Sequence, residues 1–198
     1  QLAGNVDIDG NLTLTDGTFD ATATPYTINL AGNWSNTAGA FTERTGTVTF
    51  DGAVAQTLTG ETFYNLTINN THAAPDDTND VESTAAVTVT NNLAVDDGQF
   101  SYFTASDVNG NVTVASGAIF KPAASSGTLT VAGNWTNSGT FTHNSGTVTF
   151  DSTATGKTIT TGGSSFYGLT FNGTGGAWTL QDATTVSNVL TITAGTLS

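Results

Sequence analysis

The chain has 198 residues, of which 37% are hydrophobic and only 10% charged, with 16 acidic against 3 basic side chains and no Cys or Met. A formal charge of −13, with Arg44, Lys121 and Lys157 as the only cations, leaves no basic patch and excludes nucleic acid as a partner. The lack of Cys excludes a disulfide framework and a thiolate metal site, and no apolar run reaches the roughly 20 residues of a membrane-spanning helix, so membrane insertion is not expected.

In chain order, DIDGNLTLTDGTF from Asp7 predicts a strand at Leu12-Thr13-Leu14, and AGNW from Ala31 leads to FTERTGTVTFD ending at Asp51. FYNLTINN follows from Phe63, and then an acidic, Pro-containing stretch, Thr71 to Thr84, that reads as a protruding loop insertion. The order then repeats: DVNGNVTVASGAIF from Asp107, AGNW from Ala132, FTHNSGTVTFD to Asp151, FYGLTFNG from Phe166 and a last strand at Leu190 to Thr193. The chain is thus two copies of one unit of about 100 residues, residues 1–100 and 101–198.

A finer period lies inside each copy. Triplets with a polar or small residue between two large apolar ones are centred on Thr13, Asn29, Thr49, Thr67 and Ala94, then Thr113, Thr130, Thr149, Thr170 and Thr191. Their separations are 16, 20, 18, 27, 19, 17, 19, 21 and 21, which suits a coil of roughly 19 residues. Period-2 alternation places the apolar residues of each triplet on one face and Thr on the other, and no segment shows helical spacing. The expected fold is all-β, a continuous single-stranded β-solenoid of about ten coils. Two tandem β-sandwich domains are the alternative, with strands every 8 to 12 residues joined by hairpins.

Strings such as GNWTNSGTFT, SGTVTFD and FYNLTIN resemble those of repetitive bacterial surface and secreted proteins of the haemagglutinin-like and adhesin-like β-solenoid class. That resemblance covers both copies and implies a rod on or outside the cell. It rests on repeats and composition, carrying no functional residues.

Catalytic residues are not expected, because His72 and His143 lie in different contexts and no Ser/His/Asp set can be assembled. No cofactor is expected either. The one hint of Ca²⁺ is Asp7-Ile8-Asp9-Gly10-Asn11, echoed from Asp107, but Leu12 and Val112 stand where an EF-hand needs Gly, and turn hydrogen bonds account for these residues. The Thr triplet centres, Thr13, Thr49, Thr67, Thr113, Thr130, Thr149, Thr170 and Thr191, suggest an outward ladder of the kind that could order water and bind ice. Phe50, Phe150, Tyr64 and Tyr167 share the inward parity, while Trp34 and Trp135 lie just past a strand and leave carbohydrate binding open. Seven Asn-x-Ser/Thr sequons occur, at Asn11, Asn33, Asn65, Asn69, Asn111, Asn134 and Asn172.

The two ends are in phase. From Thr191 to Thr13 of a following copy is 20 residues, about one coil, as expected of head-to-tail stacking or of a longer array cut at a repeat boundary. Leu2, Val6 and Ile8 would then adjoin Leu190, Ile192 and Leu197. The functional expectation is an extracellular or cell-surface structural protein, a filament subunit or adhesin shaft whose partner is itself, with ice binding and glycan binding as the other classes.

Overall fold

Strand-forming triplets with an apolar inner face can bury that face only by stacking, and the computed structural model, which describes residues 2–21, 24–72 and 80–198, is a column of parallel coils. Three strands form each coil, on faces termed A, B and C. The first coil is β1 (Val6–Ile8), β2 (Leu12–Leu14) and β3 (Thr18–Asp20), and the second is β4 (Thr27–Leu30), β5 (Trp34–Asn36) and β6 (Ala40–Thr42). The third is β7 (Thr47–Phe50), β8 (Gln56–Leu58) and β9 (Thr62–Phe63), and the fourth is β10 (Asn65–Asn69), β11 (Val81–Ser83) and β12 (Thr88–Val89). Next come β13 (Leu93–Asp97), β14 (Gln99–Tyr102) and β15 (Ser106–Val108), followed by β16 (Val112–Val114), β17 (Ile119–Pro122) and β18 (Thr128–Val131). The seventh is β19 (Trp135–Asn137), β20 (Thr140–Phe141) and β21 (Thr147–Phe150). Beyond β22 (Lys157–Thr160), the strands β23 (Phe166–Leu180) and β24 (Val186–Leu197) run on around a corner from face C to face A.

All strand pairings are parallel, and no helix occurs among the described residues, so the hairpin-linked sandwich is excluded. On face A the inward column runs Ile28, Val48, Leu66, Leu93, Val112, Trp135 and Ile159 in continuous register. There are about nine turns of roughly 21 residues, fewer and longer than the triplet count suggests. The difference arises because the triplet changes face. It sits on face B at Thr13, on face A from Asn29 to Thr113 and on face C from Thr130 onward, so the separations of 16 and 17 span two faces instead of three.

The two copies are therefore not stacked directly over one another. Trp34 is on β5 of face B; its counterpart Trp135, on β19, is reached after four whole coils up to β17 and two more faces, one face short of five coils. Of the inserted stretch, residues 73–79 lie outside the described residues, while Val81–Ser83 form β11 with Val81 and Ser83 buried. The base of this stretch is tied down by Asn70, which donates to Val54 O and Gln56 Oε1, and by His72 Nδ1, 3.1 Å from Asp80 Oδ1.

Inside the column, Trp34 packs edge-on against Phe41 at 4.8 Å and Trp135 likewise against Phe141 at 5.0 Å. Phe50 and Phe150 are fully buried, as parity requires. Tyr64 and Tyr167 are only half-buried, and Phe63 and Phe166 take the core position. A corner between the end of β9 and the start of β10 resets the alternation, which parity alone does not reveal.

Val148 is 2% exposed and lies between Leu129 and Leu169. Val148→Asp would bury an unpaired charge and should lower stability by on the order of 4 kcal/mol. Thermal melting followed by circular dichroism checks this, and an unchanged melt would place Val148 on the outside.

Candidate functional site

Three features could carry a function: the outward columns, the corners and the two end coils. On face A the outward column reads Asp7, Asn29, Thr49, Thr67, Ala94, Thr113, Thr136, Thr160. On face C it reads Thr62, Thr88, Asp107, Thr130, Thr149, Thr170, Thr191. The eight threonines of the expected ladder are thus divided, with Thr49, Thr67 and Thr113 on A, Thr130 to Thr191 on C and Thr13 on B beside Ser35. Thr62, Thr88, Thr136 and Thr160 complete these columns; Thr88 is the centre of a further triplet, Val87-Thr88-Val89, the other three have only one apolar neighbour, and the two short separations are the sequence signal that the face changes.

The corners explain the recurring Gly-Asn pair. Asn11 Oδ1 accepts from Asn33 N–H at 2.8 Å and Asn33 Oδ1 from Thr57 N–H at 2.7 Å. From the end of the first copy into the second, Asn92 accepts from Asn111, Asn111 from Asn134 and Asn134 from Thr158, at 3.1, 2.8 and 2.9 Å. Each amide satisfies a backbone donor of the next coil at a corner or in the strand just beyond it. The glycine beside it is required by crowding, since a Cβ on Gly133 would lie 2.1 Å from Gly110 O. Four of the seven sequon asparagines, at 11, 33, 111 and 134, are committed to these bonds.

Asn11 is thereby engaged in a corner, and among the described residues no group of three or more His, Asp or Glu side chains is placed to hold a metal ion. His143 Nδ1 accepts from Ser145 N–H and its ring lies 5.6 Å from Tyr167, far along the chain from the His72–Asp80 pair. Both Trp34 and Trp135 are 1% exposed and offer no sugar platform. Arg44 makes a two-point contact with Asp20, at 2.9 Å for each bond.

Asp51 and Asp151 occupy equivalent positions, each with one carboxylate oxygen buried and lacking a hydrogen-bond partner. Burial pushes both carboxyls above the ordinary range, reinforced by Asp7 for Asp51 and by Asp107 for Asp151. Asp182 goes the other way. Burial alone would raise it, but donation from Thr161 N–H, Gly162 N–H and the Thr161 hydroxyl holds it below the usual range.

At the lower end Leu2, Val6 and Ile8 are half-buried, with Leu12, Leu14 and Phe19 beside them. At the upper end β24 has a strand partner on one side only, and Val189, Leu190 and Ile192 are 48%, 49% and 52% exposed, with Leu197 half-buried. The expected end residues form two groups at opposite ends of the column, not one site. No family model, curated protein or solved structure matches the chain, so the columns, corners and open ends alone carry the functional reading.

A carboxyl whose folded pKa is raised binds its proton more tightly folded than unfolded, so it costs stability once pH passes the unfolded value near 3.8. Asp51→Asn with Asp151→Asn should therefore melt above the parent at neutral pH, the gap closing as pH falls below about 4. Parallel melting curves at pH 3 and pH 7 check it. Asn111→Ala removes an acceptor from Asn134 N–H and a donor to Asn92 Oδ1 and should cost about 1–3 kcal/mol, against little for Thr113→Ala, as measured by denaturant titration.

Proposed function

We propose that this chain is a non-catalytic unit of an extracellular structural rod, lengthened by stacking further copies of itself on its open end coils. The observation that carries this reading is the junction inside the chain, where Val112-Thr113-Val114 of the second copy lie in register on Leu93-Ala94-Val95 of the first, so that one copy already seats the next. β24 offers the same kind of seat, with Val189, Leu190 and Ile192 about half exposed and no charge beside them. An exposed, apolar, uncharged edge is a template for another strand, and natural proteins that stay monomeric blunt such edges with Lys, Pro or a covering element. A contact between two different ends does not close on itself and gives a filament. The extracellular setting rests on composition, a surface of Thr, Asn, Gly and Ser in place of Lys and Glu.

A second reading, ice binding, is favoured by one observation, the in-register run Thr130, Thr149, Thr170 and Thr191 on face C. If thermal hysteresis is measurable, Thr149→Lys with Thr170→Lys should abolish it.

Electron microscopy of the purified chain at increasing concentration tests the first reading. Unbranched fibres one column wide that lengthen with concentration are expected, and Leu190→Lys with Ile192→Lys should stop the lengthening while leaving the melting temperature close to the parent's. Discrete short rods at every concentration would overturn self-stacking.

A further inference from the structure

The interface between copies is already drawn inside the molecule. Where the first copy ends, β13 lies on β10 with Leu93, Ala94 and Val95 over Leu66, Thr67 and Ile68, and after a one-residue bulge Asp97 over Asn69. Where the second copy ends, β24 lies on β23 in the same way, with Leu190, Thr191 and Ile192 over Leu169, Thr170 and Phe171, and after the same bulge Ala194 over Asn172. The top of the molecule therefore reproduces a surface that, in its interior, is covered. What covers it there is the opening of the second copy, with Val112-Thr113-Val114 of β16 on Leu93-Ala94-Val95 and Phe120 of β17 on Phe100.

Resting on the self-stacking reading, we infer that the upper end takes the opening coil of a second copy turned by one face, with β2 of the incoming molecule parallel to β24. Leu12, Thr13 and Leu14 stand in the first copy where Val112, Thr113 and Val114 stand in the second, so they fall on Leu190, Thr191 and Ile192. Phe19 falls on Leu197, as Phe120 does on Phe100. An unturned stack would instead put β3 over the β24 segment on face C. The turn repeats the step that already separates the two internal copies, so one screw operation generates the whole rod.

Two independent features fit this partner. Residues 183–198 contain no charged side chain, whereas the opening coil carries Asp7, Asp9, Asp16 and Asp20, so the acidic coil meets no like charge. The second is Gly10. Its counterpart Gly110 is demanded by the coil beneath, since a Cβ there would lie 1.9 Å from Asn91 O, and Gly32 and Gly133 are pinched alike. A Cβ at Gly10 would meet nothing within 4 Å among the described residues, and Gly10 has no left-handed φ, so no described residue of its own chain requires a glycine there. In the stacked dimer it would sit on Asn188, the counterpart of Asn91.

Cysteine pairs test the register, because the chain has no Cys of its own and Cα atoms paired across parallel strands are about 4.8 Å apart, within disulfide reach. Under mild oxidation of preformed fibres, Thr13→Cys with Thr191→Cys should give a ladder of covalent oligomers, and Thr18→Cys with Thr191→Cys, the pair an unturned stack would bring together, should give none. Gly10→Ala should leave the melting temperature within a degree or two of the parent's yet raise the concentration needed for fibres by about ten- to a hundredfold. Fibres that cross-link through the Thr18 pair and not the Thr13 pair, or that tolerate Gly10→Ala, would overturn the turned register while self-stacking stands. A parent that forms no fibres would overturn both.

Discussion

Backbone hydrogen bonds between successive coils run along the column, and at a strand spacing of about 4.8 Å they hold each side chain beneath its counterpart in the next coil. Like therefore sits on like. For apolar groups this is an advantage, and the stacked rings of Phe150 and Phe171, 5.6 Å apart, are one product of it. For charges it is a penalty, because a column of carboxylates at that spacing repels itself, and this accounts for a surface built from hydroxyls and amides with few ionised groups. The rule is strained where Asp51 and Asp151 are partly buried near other carboxylates, and their carboxyls respond by favouring the proton.

The same stacking dictates the corners. A chain turning three times per coil loses strand pairing at each turn, and the exposed amide must be met by something that recurs once per coil. Asparagine meets it, with its oxygen on the N–H of the next coil, and the neighbouring glycine lets two turns approach more closely than any Cβ allows. The Gly-Asn pairs before Leu12, Trp34, Val112 and Trp135 are thus structural joints, which is why they recur with the duplication.

Strand identity, the inward setting of Phe50 and Val148 and the duplication itself were legible, because alternation and self-similarity report directly on side-chain direction and stacking. The face of each strand was not. A triplet such as Leu-Thr-Leu is equally at home on any of three faces, so Thr13 and Asn29 look like successive members of one column when they lie on different sides. Tyr64 departs from its expected inward setting for a related reason, since parity is conserved along a strand but not around a corner. Of the end surfaces, Leu190, Ile192 and Leu197 could be named from phase alone; that β24 copies β13 down to its bulge required the register.

Every strand in the column pairs with one about a coil away in sequence, so no part of the fold waits for a distant segment to arrive. Loop-closure entropy is then the same for each added coil however long the chain becomes, and order can spread from any coil once formed. A chain emerging from a ribosome can consolidate in the direction in which it emerges, each finished coil acting as the mould for the one that follows.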